Sequence, residues 1–146
     1  MTSAKQQDRS SNTRAEGFQR VRDAHQTEMA EDYVELIADL IDEKGEARVV
    51  DLAEGLGVTM PTVNSAIQRL QRDGLVTTKP YRAIFLTDRG HEMAVAARER
   101  HRLVVELLIA LGVDATTAEV DAEGIEHHVS AATLAAFRAF VEAQRG

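Results

Sequence analysis

Apolar positions along this chain of 146 residues follow a helical period nearly throughout, and the period breaks only for two short runs between residues 75 and 86. Tyr33, Ile37, Leu40 and Ile41 form a stripe that predicts a helix from near Phe18 to about Lys44, stopped by Gly45. A short helix is expected over 50–56, ending at Gly57. Thr59 then has the chemistry of an N-cap and Pro61 suits a first turn, so a third helix is expected to about Asp73 with Val63, Ala66, Ile67 and Leu70 facing inward. Leu75 to Thr78 and Ala83 to Leu86 read as two short strands around the basic tip Lys79-Pro80-Tyr81-Arg82. Thr87 can cap a long helix to about Leu111, with shorter helices expected over 115–128 and, after a Ser130 cap, over 131–144.

Helix, short helix, glycine turn, polar-faced helix and hairpin make a winged helix-turn-helix pattern. The fold class expected is therefore mainly α, an N-terminal winged helix-turn-helix with a two-stranded wing followed by a helical region. The outward face of the third helix carries Thr59, Pro61, Thr62, Asn64, Ser65, Gln68, Arg69 and Arg72. Short hydrogen-bonding groups can reach base edges, while the arginines and Lys79 and Arg82 of the wing suit phosphate oxygens. The competing reading is an amphipathic helix with a solvated face.

Net charge is −7, which argues against nucleic acid only until it is divided along the chain. Residues 44–89 carry seven basic and five acidic side chains, whereas residues 1–43 carry five and ten and residues 90–146 five and nine. The excess of carboxylates lies outside the winged-helix segment, so an acidic total leaves a DNA reader open. The chain has no cysteine, which excludes disulfides, and its longest apolar run, Leu107 to Leu111, is too short to span a bilayer. With no apolar leader in residues 1–17, a cytoplasmic protein without a membrane partner is expected.

The carboxylates outside that segment fall into patterns. A helix through Glu123-Gly-Ile-Glu126-His127 places two carboxylates and an imidazole on one face, most of a divalent-metal site. Oxygen-rich sets with one or two nitrogens suit manganese and ferrous iron, whereas closed zinc sites lean on thiolates. Asp32 and Glu35 are spaced i, i+3 opposite the apolar stripe of the first helix, and His101 sits in the long helix. Each alone reads as a solvated acidic face or a surface histidine. If the helices bearing His101 and Glu123 pack behind the first helix, six oxygen and nitrogen donors meet.

Several segments together resemble a known family: Glu31-Asp32-Tyr33-Val34-Glu35-Leu36-Ile37, Lys44-Gly45-Glu46-Ala47-Arg48-Val49, Pro61-Thr62-Val63, Phe85-Leu86-Thr87, Arg100-His101, and Asp121 through Ser130. Over about residues 16–140 the chain is similar to the manganese transport regulators (MntR), within the diphtheria-toxin-repressor family of metal-dependent repressors. The resemblance implies a homodimeric repressor of manganese transport genes that binds double-stranded operator DNA. It also implies a two-metal cluster held by Asp32, Glu35, His101, Glu123, Glu126 and His127. Mn2+, two per chain, is the implied cofactor, with Fe2+, Co2+, Cd2+ or Zn2+ as substitutes, and neither enzymatic activity nor a small organic substrate is expected. Iron-responsive relatives carry Met and Cys where this chain has Asp32 and Glu126, and tend to carry a further SH3-like domain that is not expected here. The organisation expected is a winged-helix DNA-binding domain over 18–88 and a helical metal-binding and dimerisation domain over 89–146, preceded by a flexible polar arm over 1–17 in which the chain departs from shorter manganese regulators. Leu103-Val104-Val105 through Leu111 and the Leu134, Phe137, Phe140, Val141 stripe supply apolar surface for either the dimer or the internal core. Three alternatives stay open: an iron-responsive repressor of the same family, a winged-helix regulator sensing a non-metal ligand, and a carboxylate-bridged metalloenzyme. The last is disfavoured because di-metal bundles repeat Glu-x-x-His on two helices and no second copy occurs here.

Overall fold

The computed structural model describes residues 3–80 and 83–146. Its element order is α1 (Ser3–Lys44), β1 (Ala47–Arg48), α2 (Val49–Leu56), α3 (Met60–Arg72), β2 (Val76–Lys79), β3 (Ala83–Leu86), α4 (Asp88–Ala110), α5 (Ala115–Ile125) and α6 (Ala131–Arg145). The caps follow the sequence: Thr59, Thr87 and Ser130 each accept a hydrogen bond from the backbone N–H three residues on, in Thr62, Gly90 and Thr133. Gly57 closes α2 at φ 68°, a left-handed conformation open to glycine at little cost, and so sets the turn between α2 and α3.

Three expectations need correction. The first helix begins at Ser3, not near Phe18. Gly17 lies within it, and the bonds of Gln19 to Asp23 and of Arg22 to Gln19 support the following turns. The sheet has three strands, ordered β1-β3-β2 and antiparallel, not two. The extra strand is Ala47–Arg48, whose Ala47 pairs with Ile84, and a strand of two residues leaves no period to read. Finally, α5 ends at Ile125, short of 128. A tighter bond from His128 N–H to the Ile125 carbonyl and the extended Ser130 cap turn the chain toward α6. Tyr81 and Arg82 lie outside the described residues, so the wing tip is represented by Lys79.

Two cores result. One gathers α1, α2, α3 and the sheet around Val34, Ile37, Leu52, Val63, Val76 and Ile84, all essentially sealed from solvent. Helix α4 seats against it through Gly90, where a Cβ would stand 2.0 Å from the Leu75 carbonyl oxygen, so only glycine permits that approach. The other core joins α4, α5 and α6 through Val104, Val105, Ala118 and Ala122, with Leu103, Leu107 and Val141 beside them. Most of the two apolar stripes is thus consumed by internal packing, leaving Ile109, Leu111 and Phe140 exposed. Because the C-terminal part of α1 packs on α4, with Arg98 reaching Asp39 and Arg100 reaching Glu31, the space between the two cores is walled by both helices.

Candidate metal centre and nucleic-acid interface

The Glu31 to Glu35 turn of α1, the His101 turn of α4 and the end of α5 with the turn after it converge between the two cores. His127 Nε2 lies 3.4 Å from Asp32 Oδ1 and 3.1 Å from Glu126 Oε1. His101 Nδ1 lies 3.2 Å from Glu123 Oε1. Donor atoms of Glu35, Glu126 and His127 lie within 4.8 Å of one another, and so do those of His101, Glu123 and Glu126. Five of the six sequence-expected donors thus fall in two triads that share Glu126, and the sixth, Asp32, joins them through His127. A third group within the same limit joins Glu28 to Asp32 and His127.

Burial makes this convergence chemically informative. Among the described residues, the buried side-chain atoms without a hydrogen-bond partner are Glu35 Oε1, His101 Nδ1, both carboxylate oxygens of Glu126 and His127 Nε2. Each belongs to one of those six residues. An unpaired buried acceptor costs roughly 1–3 kcal/mol, and more when charged, so such a cluster is unstable unless a cation or protons supply the missing partner. Protonation becomes easier here: burial, reinforced by Glu123 for Glu35 and by Glu35 for Glu126, pushes both carboxyls up to about 7. Burial alone would lower His127, but Asp32, the hydrogen bond to Glu31 and the charge of Glu126 raise it to about 10. His101 is likewise raised, burial opposing and Glu119 and Glu123 prevailing. The donor set, four carboxylates and two imidazoles with no sulfur, fits a hard divalent cation.

Several neighbours of the cluster carried no role in the sequence reading. Glu31, only 6% exposed, receives His127 Nδ1 at 2.8 Å and the Arg100 guanidinium. Glu119 meets His101 Nε2 at 2.6 Å, and His128 meets Glu28 at 2.9 Å. Glu31, Arg100 and His128 adjoin an expected ligand in the chain, whereas Glu28 and Glu119 stand one helical turn from one.

The expected DNA-facing residues lie on α3 and the wing and belong to none of these donor groups. Thr59, Pro61, Thr62, Asn64, Ser65, Gln68, Arg69 and Arg72 are all exposed along α3, while Val63, Ala66, Ile67 and Leu70 are buried beneath them. Lys79 of the wing is exposed too, its ammonium 4.9 Å from the centre of the Phe85 ring. Gln71 bonds Thr78 Oγ1 at 3.3 Å, tying α3 to β2 so that helix and wing present one surface.

Comparison with known proteins bears on both regions. Residues 25–84 match the family model described as iron dependent repressor, N-terminal DNA binding domain, and residues 87–144 match the iron dependent repressor metal binding and dimerisation domain. The transcriptional regulator MntR of Escherichia coli O6:H1 is 53% identical over 127 residues, covering 87% of this chain and 82% of that protein. MntR of Salmonella typhimurium strain LT2 is 52% identical, covering 87% and 81%. A manganese-dependent transcriptional repressor, solved in complex with manganese, superposes with a TM-score of 0.69 at 32% identity over 77% of this chain and 52% of its own. With a DNA-binding and a metal-binding module in series and an MntR-like sequence across both, the chain belongs to the iron-dependent repressor family and, within it, to the MntR transcriptional regulators.

Proposed function

We propose that this chain is a manganese-responsive repressor whose affinity for a palindromic operator is set by divalent metal bound between its two modules. The observation that carries this reading is that, among the described residues, every buried side-chain atom without a hydrogen-bond partner belongs to the Asp32, Glu35, His101, Glu123, Glu126 and His127 cluster. Those six residues would hold two ions, Mn2+ by preference. The bound cations supply the positive charge that lets Glu35 and Glu126 ionise in a dry setting. Fe2+, Co2+, Cd2+ or Zn2+ would serve less selectively, and Asp32 and Glu126, oxygen donors both, favour the manganese reading over a ferrous one.

The chain's own residues do the rest. Asp32 and Glu35 lie on α1, which also carries Val34 and Ile37 of the DNA-binding core, whereas His101, Glu123, Glu126 and His127 lie on the other module. Drawing the two sets together fixes the angle between residues 18–88, the DNA-binding domain in this reading, and residues 89–146, the metal-binding and dimerisation domain. In a homodimer that angle sets the spacing of two α3 helices and hence which operator is readable. Arg69, Arg72 and Lys79 grip phosphate, and Arg82 would join them. Thr59, Pro61, Thr62, Asn64, Ser65 and Gln68 face base edges. No enzymatic step, organic substrate or membrane contact is part of this function, no described helix being long and apolar enough to cross a membrane, and a cytoplasmic repressor of manganese transport genes is the role that fits.

Separating the two regions tests the assignment. Arg72→Ala, and likewise Arg69→Ala, is expected to weaken operator and non-specific DNA alike and to reduce the salt slope of binding by about one unit. Manganese stoichiometry, counted by electron paramagnetic resonance of the free ion, should stay unchanged. Loss of bound manganese in Arg72→Ala would refute the separation.

A further inference from the structure

Glu31 and Arg100 stand outside the six proposed ligands, yet they close a buried chain across all three converging elements. Glu31 comes from α1, Arg100 from α4 and His127 from the turn after α5. Arg100 Nη2 and His127 Nδ1 both meet the same oxygen, Oε2 of Glu31. The other imidazole nitrogen, Nε2, is the one left buried without a hydrogen bond, facing Asp32 and Glu126. Glu31 is 6% exposed and the His127 side chain 1%, so neither is held in place by solvent.

We propose that Glu31, itself oriented by Arg100, is a positioning residue that sets the orientation and tautomer of His127 and thereby the affinity of one ion position of the pair. This rests on the metal-site reading above. An imidazole ligates through one nitrogen only when the proton sits on the other, and a carboxylate accepting from Nδ1–H fixes it there, presents Nε2 as the donor and raises its basicity. Arg100 fixes the Glu31 oxygen that receives Nδ1–H, a charge-assisted bond in a part-buried setting. The effect is local to one position because His127 belongs to the triad with Glu35 and Glu126, whereas His101, Glu123 and Glu126 form the other. Since Glu31 and Arg100 come from different modules, the affinity of that position also depends on α1 and α4 staying in contact.

Two-site manganese titration of the full chain, with free ion read by electron paramagnetic resonance, compares the wild type with Glu31→Ala, Glu31→Gln and Arg100→Ala. Glu31→Ala is expected to lower affinity at one ion position by about 10–100-fold, the span typical for loss of a ligand's outer partner, and to leave the other within about threefold. Glu31→Gln, whose amide oxygen still accepts from Nδ1–H, should recover most of that loss, and Arg100→Ala should fall between the two. A role in general stability alone would weaken both positions together and would not be rescued by Gln, and either result overturns the proposal. Unchanged affinity in Glu31→Ala overturns it too while leaving the metal site standing. A wild type that binds no manganese removes the site and the inference with it.

Discussion

Glu126→Gln is expected to empty both ion positions at manganese concentrations that saturate the wild type, and to abolish metal-dependent operator binding, while making the metal-free protein more stable. Glu126 is shared by the two donor triads, so its loss is felt at both. Loss of an outer partner costs about 10–100-fold in metal affinity, and loss of a shared anionic ligand should exceed that. The rise in stability follows from burial: Glu126 is 1% exposed, and neither carboxylate oxygen has a hydrogen-bond partner. Replacing it with a neutral amide of the same shape removes the cost of desolvating a charge. Glu126→Cys supplies a soft donor instead, and is expected to shift activation from manganese toward ferrous iron, cobalt or zinc. Operator binding across those metals, with thermal melting of the metal-free variants, checks all three outcomes. Unchanged manganese preference in Glu126→Cys would remove this residue from the ligand set.

The second large effect is on pH. In metal-free protein Glu35 and Glu126 are raised from 4.5 to about 7, so between those values the folded chain binds more protons than the unfolded one and stability falls as pH rises. A shift of that size on one buried carboxyl, Glu126, costs on the order of 3 kcal/mol once pH passes 7. His127 acts in the same direction over a higher window. Its folded value of about 10 stands above the ordinary 6.5, so its contribution is complete below 6.5 and lost as pH climbs toward 10. The melting temperature in chelator should therefore decline from pH 5 to pH 9 by on the order of 10 °C. Manganese, which replaces these protons, should bind more tightly as pH rises and flatten the decline. Melting curves with chelator and with manganese across that range provide the check, and a metal-free protein that gains stability toward pH 9 would contradict the burial argument.

Legibility from sequence differed by kind of information. Helix α3 and its exposed face could be read because period, cap and glycine turn all act within a few residues: Thr59, Pro61 and Gly57 each constrain the backbone locally. The six donors could be gathered only because family resemblance supplied what spacing does not, since Asp32 and His127 are adjacent solely through packing of α1 against the second module. Burial was the hidden variable. Glu126 looks like one more carboxylate in an acidic helix, and nothing local says that both its oxygens are sealed. Glu31 went unassigned for the same reason: its partners lie 69 and 96 residues away. The strand at Ala47 and the early end of α5 were missed because both depend on partners, Ile84 for the one and the turn toward Ser130 for the other.

Central to this account is that metal held between the two modules governs DNA binding. Fluorescence anisotropy of a labelled palindromic DNA, selected from a random pool by the manganese-loaded protein, measures this directly in excess manganese and in chelator at one salt concentration. Affinity is expected to be about 5–150-fold higher with manganese, the usual range of coupling between two sites, and DNA should raise manganese affinity by the same factor. Equal affinity for that DNA with manganese and with chelator would contradict the account.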